Sequence, residues 1–311
     1  MITLHPQPAL QKNVVINTPT FARRQKEQKN ENGLMTAQQA KLEASRILSG
    51  GLSRRIWRIL DLLSTGGVLP THWIPSLSDR AMREWCNARI FERLSLESEE
   101  IQAQFSSMGF EEHYSCSLYL LGPVGVEIAT TRHGVIPPSG YQAYTPTRIM
   151  HDIATNEIVL RLAEAIGNRD WTVDWLGKYE GTLVDKNGKT ILEPDALIRF
   201  RKDGKDGGDG AFVLEYHNED WQTRAAQKVE KYEKAFSEGN WREQWEVETF
   251  PPVLVVFQKA IVGAGYQNAT KGSKKLNCVY YGKPLKSVLE GNLEEWVNIA
   301  NGMKREIILP K

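Results

Sequence analysis

The chain has 311 residues, of which 41% are hydrophobic and 25% charged, and its formal net charge is +1. That length suits two domains better than one, and the composition is that of an ordinary globular protein. No apolar run is long enough to cross a bilayer, and the first residues lack the basic-then-apolar pattern of a signal peptide. The three cysteines form no CxxC pair, which argues against a disulfide framework or a zinc site. These features predict a cytoplasmic protein with no membrane partner.

Basic residues are grouped along the chain, although the whole molecule is far from a polycation. The clusters fall in residues 23–29, 54–58, 80–93 and 271–275. Any affinity for nucleic acid must come from such local patches, because the net charge is too small to supply it. For one cluster alone, a solvated surface is the simpler interpretation. Several clusters together favour a nucleic-acid partner.

The N-terminal part of the chain predicts an arm followed by two helices. Residues 1–36 are polar and show little apolar periodicity, which is typical of a flexible arm. A helix is predicted over residues 36–48, where Gly50 and Gly51 close it. Ser53 can cap a second helix that ends at residues 66–67. Its apolar side chains recur at i, i+3, i+4 and i+7, namely Ile56, Ile59, Leu60 and Leu63.

The next segments predict a helix-turn-helix with a wing, in a domain over residues 37–135. VLPTHWIPSL gives a short helical segment, a helix follows over residues 78–94, and HYSCSLYLLGP alternates like a strand pair. Such a domain places a helix in the major groove of DNA and a wing on the backbone. The candidate DNA-binding residues here are Arg54, Arg55, Arg80, Arg83, Arg89 and Arg93. A winged helix used only for protein contacts is the alternative.

A proline-rich stretch, residues 132–146, separates this domain from a second one over residues 147–311. The second domain opens with a predicted helix over residues 147–166. Strand-like segments follow at 182–184, 196–200 and 211–214, then a polar helix at 221–236 and an apolar strand at 253–257. This order of elements indicates an α/β or α+β domain with one central sheet.

Acidic residues in the second domain suggest a site for a hard cation. Asp195 directly precedes the strand-like run ALIRF, and Glu215 ends another apolar strand with His217 two positions further. Residues two apart on a strand share a face, so Glu215 and His217 can point into one site that Asp195 completes. Mg²⁺ and Mn²⁺ prefer such oxygen ligands, and the bound ion polarises a phosphodiester. Glu157, in the middle of the first helix, is a further candidate ligand.

The helix after Glu215 supplies candidate phosphate contacts in Gln227, Lys228 and Lys231. A lysine ammonium offers positive charge without demanding a particular geometry. Acidic residues at strand ends often face only water, so their spacing alone does not establish a metal site.

A resemblance to a known family gives a second reason to expect a metal site. PD followed by E-x-H, and then a helix with Q-K-x-x-K-Y, is similar to the core of the PD-(D/E)xK nuclease superfamily. More specifically, the chain resembles the replication-relaxation family of plasmids and integrative elements. The matching segments lie between residues 50 and 260, in the order YLLGPVGVEIA, HDIATNEIVLRL, WLGKYEG, EPDALIRF, FVLEYHNEDWQTRAAQKVEKY and FPPVLVVF.

The resemblance implies an N-terminal winged helix followed by a restriction-endonuclease-like domain with a central mixed sheet. It implies a protein of plasmid or mobile-element DNA processing that acts on double-stranded DNA, alone or with other DNA-processing proteins, and it is compatible with an oligomer. By the same likeness Asp195 and Glu215 are Mg²⁺ or Mn²⁺ ligands of a nicking endonuclease, with Glu157 as the acid on the helix.

His217 departs from the motif, which has lysine at that position. A neutral histidine accepts a proton or binds a metal, but it carries no dependable positive charge at neutral pH. Either Lys228 or Lys231 replaces the motif lysine from the following helix, or the site is inactive and the protein is a non-catalytic DNA-binding factor. A scaffold without any DNA role is the third hypothesis.

Overall fold

The computed structural model describes most of the chain from residue 35 onward. The described residues are 35–73, 79–94, 99–110, 118–134, 136–140, 144–202, 208–218, 223–238, 240–271, 276–300 and 304–306. The predicted flexible arm lies outside them, apart from its last two residues. The chain divides into two compact units between Ile153 and Ala154, inside the helix α6 (Pro146–Gly167). The predicted helix over residues 147–166 is therefore confirmed, and the division falls within it.

The N-terminal unit combines helices with a small antiparallel sheet. Its strands lie in the order β1-β3-β2. Its described elements are α1 (Ala37–Gly50), α2 (Arg54–Gly66), β1 (Val68–Pro70), a 3₁₀ turn (Thr71–Trp73), α3 (Asp79–Asn87), β2 (Phe91–Leu94), α4 (Glu99–Met108), β3 (Leu118–Leu121) and α5 (Pro123–His133).

Local capping explains why the first two helices begin and end where the sequence predicts. Thr36 and Gln39 form a reciprocal capping box at the start of α1. The Ser53 hydroxyl accepts the Ile56 N–H at the start of α2, and Gly67 follows its last residue with a φ of +75°. The predicted apolar face of α2 is buried. Both helix predictions are confirmed.

The predicted helix over residues 78–94 is too long. The helix α3 ends at Asn87, Arg89 adopts a φ of +59°, and the chain then forms β2. The carbonyl groups of Arg89 and Ile90 accept the N–H groups of Val124 and Gly122 at 3.1 and 2.8 Å. Tertiary pairing with a distant segment therefore overrides the local helical pattern.

The prediction that HYSCSLYLLGP folds into two strands that pair with each other is also wrong. The described part of that segment, β3, is the central strand of the sheet, and its partners are β1 and β2. Residues 113–117 of the segment lie outside the described residues. All four residues of β3 are buried, because both neighbours and the helices cover it.

The two glycines of the GPVG sequence at the start of α5 are required because a side chain at either position would clash with the backbone. A Cβ atom on Gly122 would lie 2.3 Å from the Arg89 carbonyl oxygen, and one on Gly125 would lie 2.1 Å from that of Ile90. Neither position accepts a side chain unless the backbone moves. The two glycines therefore set how closely α5 approaches the turn before β2.

The C-terminal unit is built on a mixed seven-stranded sheet in the order β12-β11-β10-β9-β8-β7-β4, in which β9 runs parallel to β8 and β10. The chain is thus a mixed α+β protein with a central mixed sheet. Besides α6, the described elements are β4 (Thr172–Gly177), β5 (Leu183–Val184), β6 (Thr190–Leu192), β7 (Ala196–Lys202), β8 (Gly208–His217), α7 (Thr223–Glu238), α8 (Trp241–Trp245), β9 (Val253–Phe257), α9 (Ala260–Lys271), β10 (Tyr280–Pro284), α10 (Leu285–Leu289), β11 (Glu295–Asn298) and β12 (Lys304–Glu306).

One face of this sheet carries the core that positions the candidate site. Alternate residues of β8 and β9, such as Val213 and Val255, pack with Val229 of α7 and Val262 of α9 in one buried cluster. Residues two apart on a strand share a face, so Glu215 of β8 points toward the same helices. None of the helices in the described residues has the length and apolar character to cross a membrane.

Candidate functional site

Asp195 and Glu215 meet where β7 begins and β8 ends. Ala196 is the register partner of Leu214, which brings the residues next to them side by side. The Asp195 N–H donates to the Leu214 carbonyl at 3.1 Å, and its Oδ2 accepts the Tyr216 N–H at 2.8 Å. Asp195 is therefore fixed to the backbone on both sides of Glu215, as the prediction of adjacent strands requires.

Two side chains of α7 hold the Glu215 carboxylate. Glu215 is fully buried, at 0% exposure. Its Oε1 accepts a hydrogen bond from the Tyr232 hydroxyl at 2.6 Å, and its Oε2 lies 2.6 Å from the Lys228 ammonium. Lys228 and Tyr232 are four residues apart, so one helical face delivers both groups.

Lys228 is the cation that lies beside the Glu215 carboxylate. Its Nζ also donates to the Glu193 carbonyl oxygen at 3.2 Å. Burial works to lower the pKa of Lys228, but the Glu215 and Asp195 carboxylates outweigh this effect and raise the pKa above its ordinary value. The ammonium therefore stays charged and responds to both carboxylates at once.

Tyr232 keeps its proton and acts as a donor. Burial first, and then the negative charge of Glu215, raise the pKa of Tyr232 well above its ordinary value. The neutral Tyr232 phenol donates a hydrogen bond to one oxygen of the Glu215 carboxylate, which has no access to water. An unpaired buried charge would be costly, and Tyr232 and Lys228 together remove that cost.

His217 shares the face of Glu215, as predicted, but contacts a different helix. Its Nε2 lies 2.8 Å from the hydroxyl oxygen of Tyr266 on α9, and the residue is 2% exposed. This hydrogen bond gives His217 a partner within the core. His217, which the resemblance aligns with a motif lysine, thus contacts α9, whereas the cation beside Glu215 comes from α7.

Glu157 is held elsewhere in the C-terminal unit. It is 1% exposed, and its Oε1 accepts a hydrogen bond from the Arg161 Nε at 2.7 Å. Arg161 also donates to the Leu289 carbonyl at 3.0 Å. Across the described part of the chain, no three or more Asp, Glu, His or Cys side chains form a group that could hold a metal ion. Glu157 therefore does not join Asp195 and Glu215 in such a group.

Gln227 and Lys231 lie on the exposed side of α7, together with Arg224. Their spacing of three, four and seven residues puts these side chains on one face of the helix. Arg224 is close enough to Lys228 to oppose the rise of its pKa. A polar and basic face of α7 thus begins beside the carboxylates.

Four of the predicted DNA-binding arginines are exposed on helices of the N-terminal unit. Arg54 and Arg55 lie in the first turn of α2, and Arg80 and Arg83 lie on α3. Arg80 forms an exposed ion pair with Glu84 at 3.4 Å. Exposed ion pairs of this type contribute little to stability, so Arg80 can exchange its partner for a phosphate.

The other two predicted arginines lie beyond the end of α3, so the expectation that one helix carries all four of residues 80, 83, 89 and 93 is wrong. Arg89 occupies the turn before β2, where it pairs with Glu92 at 2.9 Å. Arg93 is exposed on β2 opposite Tyr119. Arg89 thus has a structural partner, whereas Arg93 faces the solvent.

The donor set at Asp195 and Glu215 suits Mg²⁺ or Mn²⁺. Mg²⁺ is commonly bound through one or two protein carboxylates, with water and phosphate oxygens as its remaining ligands. A pair of carboxylates at the end of two strands matches that demand. The fit requires Lys228 to give up its contact with the Glu215 Oε2, because that oxygen already faces a cation.

Fold and site together define a mixed α+β protein with a carboxylate pair and a lysine at one end of its central sheet. A family model described as replication-relaxation matches residues 60–250, more than half of the chain. The chain belongs to the replication-relaxation family. Membership suggests a role in plasmid or mobile-element replication or relaxation. Neither the curated proteins nor the solved structures contain a match to the chain.

Sequence reasoning missed Tyr232 and Tyr266, which bind Glu215 and His217. A tyrosine in an otherwise apolar position usually indicates only core packing, and this hides its hydroxyl. The available signal was the spacing of Tyr232 four residues after Lys228, which places both on one helical face.

Proposed function

We propose that this protein binds double-stranded DNA through its N-terminal unit and cuts one strand with a Mg²⁺ or Mn²⁺ ion held by Asp195 and Glu215. The observation that carries the proposal is the Lys228 ammonium, 2.6 Å from the Glu215 carboxylate and under the influence of Asp195. This contact supports the proposal because a nuclease-type motif needs two acids and a lysine close together, although here the lysine comes from α7.

The order of elements in the N-terminal unit supports a winged helix. The helix α2, strand β1, a 3₁₀ turn and α3 precede β2 and β3, and the three strands pair in the order β1-β3-β2. The chain between β2 and β3, which contains α4, takes the position of the wing. In this arrangement α3 is the candidate recognition helix, and Arg80 and Arg83 are its basic side chains.

A Mg²⁺ or Mn²⁺ ion held at the carboxylate pair would polarise the phosphodiester and lower the pKa of a water molecule. Asp195 and Glu215 would hold the ion, and their hydrogen bonds to the Tyr216 N–H and the Tyr232 hydroxyl keep the two carboxylates in place. Lys228 turns from Glu215 toward the phosphate and stabilises the negative charge that develops there. The water oxygen bonds to phosphorus while one bridging P–O bond breaks; the water gives up a proton to solvent and the departing oxygen takes one up from solvent, which leaves a nicked strand.

Relaxation of supercoiled plasmid tests the catalytic part. With Mg²⁺ or Mn²⁺ we expect the wild type to produce open-circular DNA, and Asp195→Asn and Glu215→Gln to lose about 10³-fold or more of the rate. The matched control is Glu230→Gln, an exposed glutamate on α7, which should leave the rate unchanged. If the wild type shifts DNA in a gel but nicks none with either ion, the catalytic proposal is to be abandoned.

A second candidate, a non-catalytic DNA-binding accessory factor or transcriptional regulator, is favoured by one observation. Both Glu215 oxygens already have partners, Tyr232 and Lys228, so the buried carboxylate is neutralised without a metal. DNA binding without cleavage in the plasmid assay is the outcome that selects this function.

DNA binding itself is tested with Arg80→Ala and Arg83→Ala. We expect the double variant to bind a duplex more weakly, with a slope of log K against log salt reduced by about 1 for each lost phosphate contact. Arg46→Ala is the control, because Arg46 is an exposed arginine on α1 that pairs with Glu43. An unchanged slope in the double variant would argue against α3 as the recognition helix.

A further inference from the structure

We infer that Tyr232 is a positioning residue for the metal site, through the hydrogen bond that fixes its ligand Glu215. This assignment rests on the proposed function, since it concerns the same carboxylate. The hydroxyl of Tyr232 donates to Oε1 of Glu215 at 2.6 Å, and both residues are fully buried. Glu215 therefore keeps one oxygen bound to a hydroxyl in the core, while the other, Oε2, lies 2.6 Å from the Lys228 ammonium.

Packing alone does not account for a tyrosine at this position. Its ring makes edge contacts with the rings of Phe250 and Tyr280, at centroid distances of 6.5 and 6.3 Å. A phenylalanine would make the same ring contacts without burying a hydroxyl that needs a partner. The Tyr232 hydroxyl thus has the Glu215 carboxylate as its hydrogen-bond acceptor, and the same hydrogen bond orients that carboxylate.

The consequence for a bound cation follows from the geometry of a carboxylate. Oε1 cannot rotate toward the site while it accepts the Tyr232 hydrogen bond, so Glu215 offers a single oxygen in a fixed direction. Residues that hold a metal ligand in this way commonly change metal affinity or activity by about 10- to 100-fold when they are removed. We expect removal of the Tyr232 hydroxyl to weaken the affinity for the ion more than it lowers the nicking rate at saturating ion concentration.

Tyr232→Phe and Tyr280→Phe form a matched pair for the test. Tyr280 is a buried tyrosine of the same cluster, and its hydroxyl donates to the Val229 carbonyl at 3.4 Å. The change in stability of Tyr280→Phe therefore measures the effect of losing a buried hydroxyl on the fold, without an effect on the proposed metal ligand. Thermal unfolding of the variants gives a temperature at which all are folded, and calorimetric titration with Mn²⁺ is done there.

We expect Tyr232→Phe to bind Mn²⁺ about tenfold or more weakly than the wild type, and Tyr280→Phe to match the wild type. In the plasmid assay, Tyr232→Phe should raise the Mn²⁺ concentration that gives half the maximal rate, with little change in the maximal rate. Equal Mn²⁺ affinity of Tyr232→Phe and wild type would overturn the positioning role alone. A wild type whose Mn²⁺ binding does not depend on Glu215, judged by Glu215→Gln, would overturn the proposed function and this inference with it.

Discussion

Both units of this protein bury carboxylates beside cations, and Asp61 and Glu215 differ in what surrounds them. In the N-terminal unit, Asp61 of α2 is 8% exposed and lies 3.0 Å from Arg132 and 3.1 Å from His133, both on α5. In the C-terminal unit, Glu215 of β8 is held by α7, and a second carboxylate, Asp195, lies beside it.

The difference shows what distinguishes a structural ion pair from a candidate site. Asp61 joins two helices, and the guanidinium of Arg132 also lies 4.4 Å from the centroid of the Trp57 ring, so the whole group serves packing. Glu215 shares its cation with a half-buried carboxylate next to a basic helix face. A buried acid with a cationic partner is therefore weak evidence for a site, whereas two acids that share one lysine are stronger evidence.

The largest effect is expected for Lys228→Met. Loss of the ammonium should lower the nicking rate by about 10²- to 10³-fold, because one preorganised charge at the phosphate disappears. Mn²⁺ binding without DNA should become tighter, since no internal cation competes for Oε2 of Glu215. Lys234→Met, an exposed lysine of the same helix that pairs with Glu238, is the control and should change neither quantity. Unchanged nicking by Lys228→Met would place Glu215 and Lys228 in the same structural class as Asp61.

An intermediate effect is expected for Asp61→Asn, and it concerns stability. Removing the charge leaves Arg132 and His133 beside a neutral amide, which should lower the free energy of unfolding by about 1–3 kcal/mol. Urea unfolding measures this change, and Mn²⁺ titration of the same variant should match the wild type. Glu43→Gln, which breaks the exposed pair with Arg46, should be indistinguishable from wild type in urea. Loss of Mn²⁺ binding in Asp61→Asn would break the contrast between the two carboxylates.

The smallest effect is expected for His217→Gln. Glutamine can keep a hydrogen bond to the Tyr266 hydroxyl, and the charge at the site comes from Lys228. The nicking rate should therefore stay within about threefold of the wild type, less than 1 kcal/mol of activation free energy. A fall of more than about tenfold would make His217 part of the catalytic machinery, as the motif position predicts.

Features set by neighbouring residues could be predicted from the sequence. The caps at Thr36 and Ser53 begin two of the predicted helices, and the apolar run 253–257 predicts β9. The strand that follows Asp195 pairs with the strand that contains Glu215, and this pairing brings the two acids together. Features set by distant pairing could not be predicted. The end of α3 depends on β2 pairing with β3, whose residues lie far away in the chain.

The choice between Lys228 and Lys231 shows the same limit at the site. Both lysines lie on α7 within one turn, and the sequence fixes their spacing but not the rotation of the helix relative to β8. Only packing of residues such as Val229 against the sheet turns Lys228 inward and Lys231 toward the solvent. The same rotation turns Tyr232 inward, so its spacing from Lys228 predicts its contact with Glu215 only once Lys228 is known to face the sheet.

The backbone bond to Asp195 makes one variant useful beyond the assay. Its Oδ2 accepts the Tyr216 N–H, and the carbonyl oxygen of an asparagine side chain can accept that same N–H. Asp195→Asn should consequently preserve the junction of β7 and β8 while it removes one of the two charges proposed to hold the ion. On the proposed function, such a protein would retain its target uncut, so that sequencing of the captured fragments would identify the recognised sites.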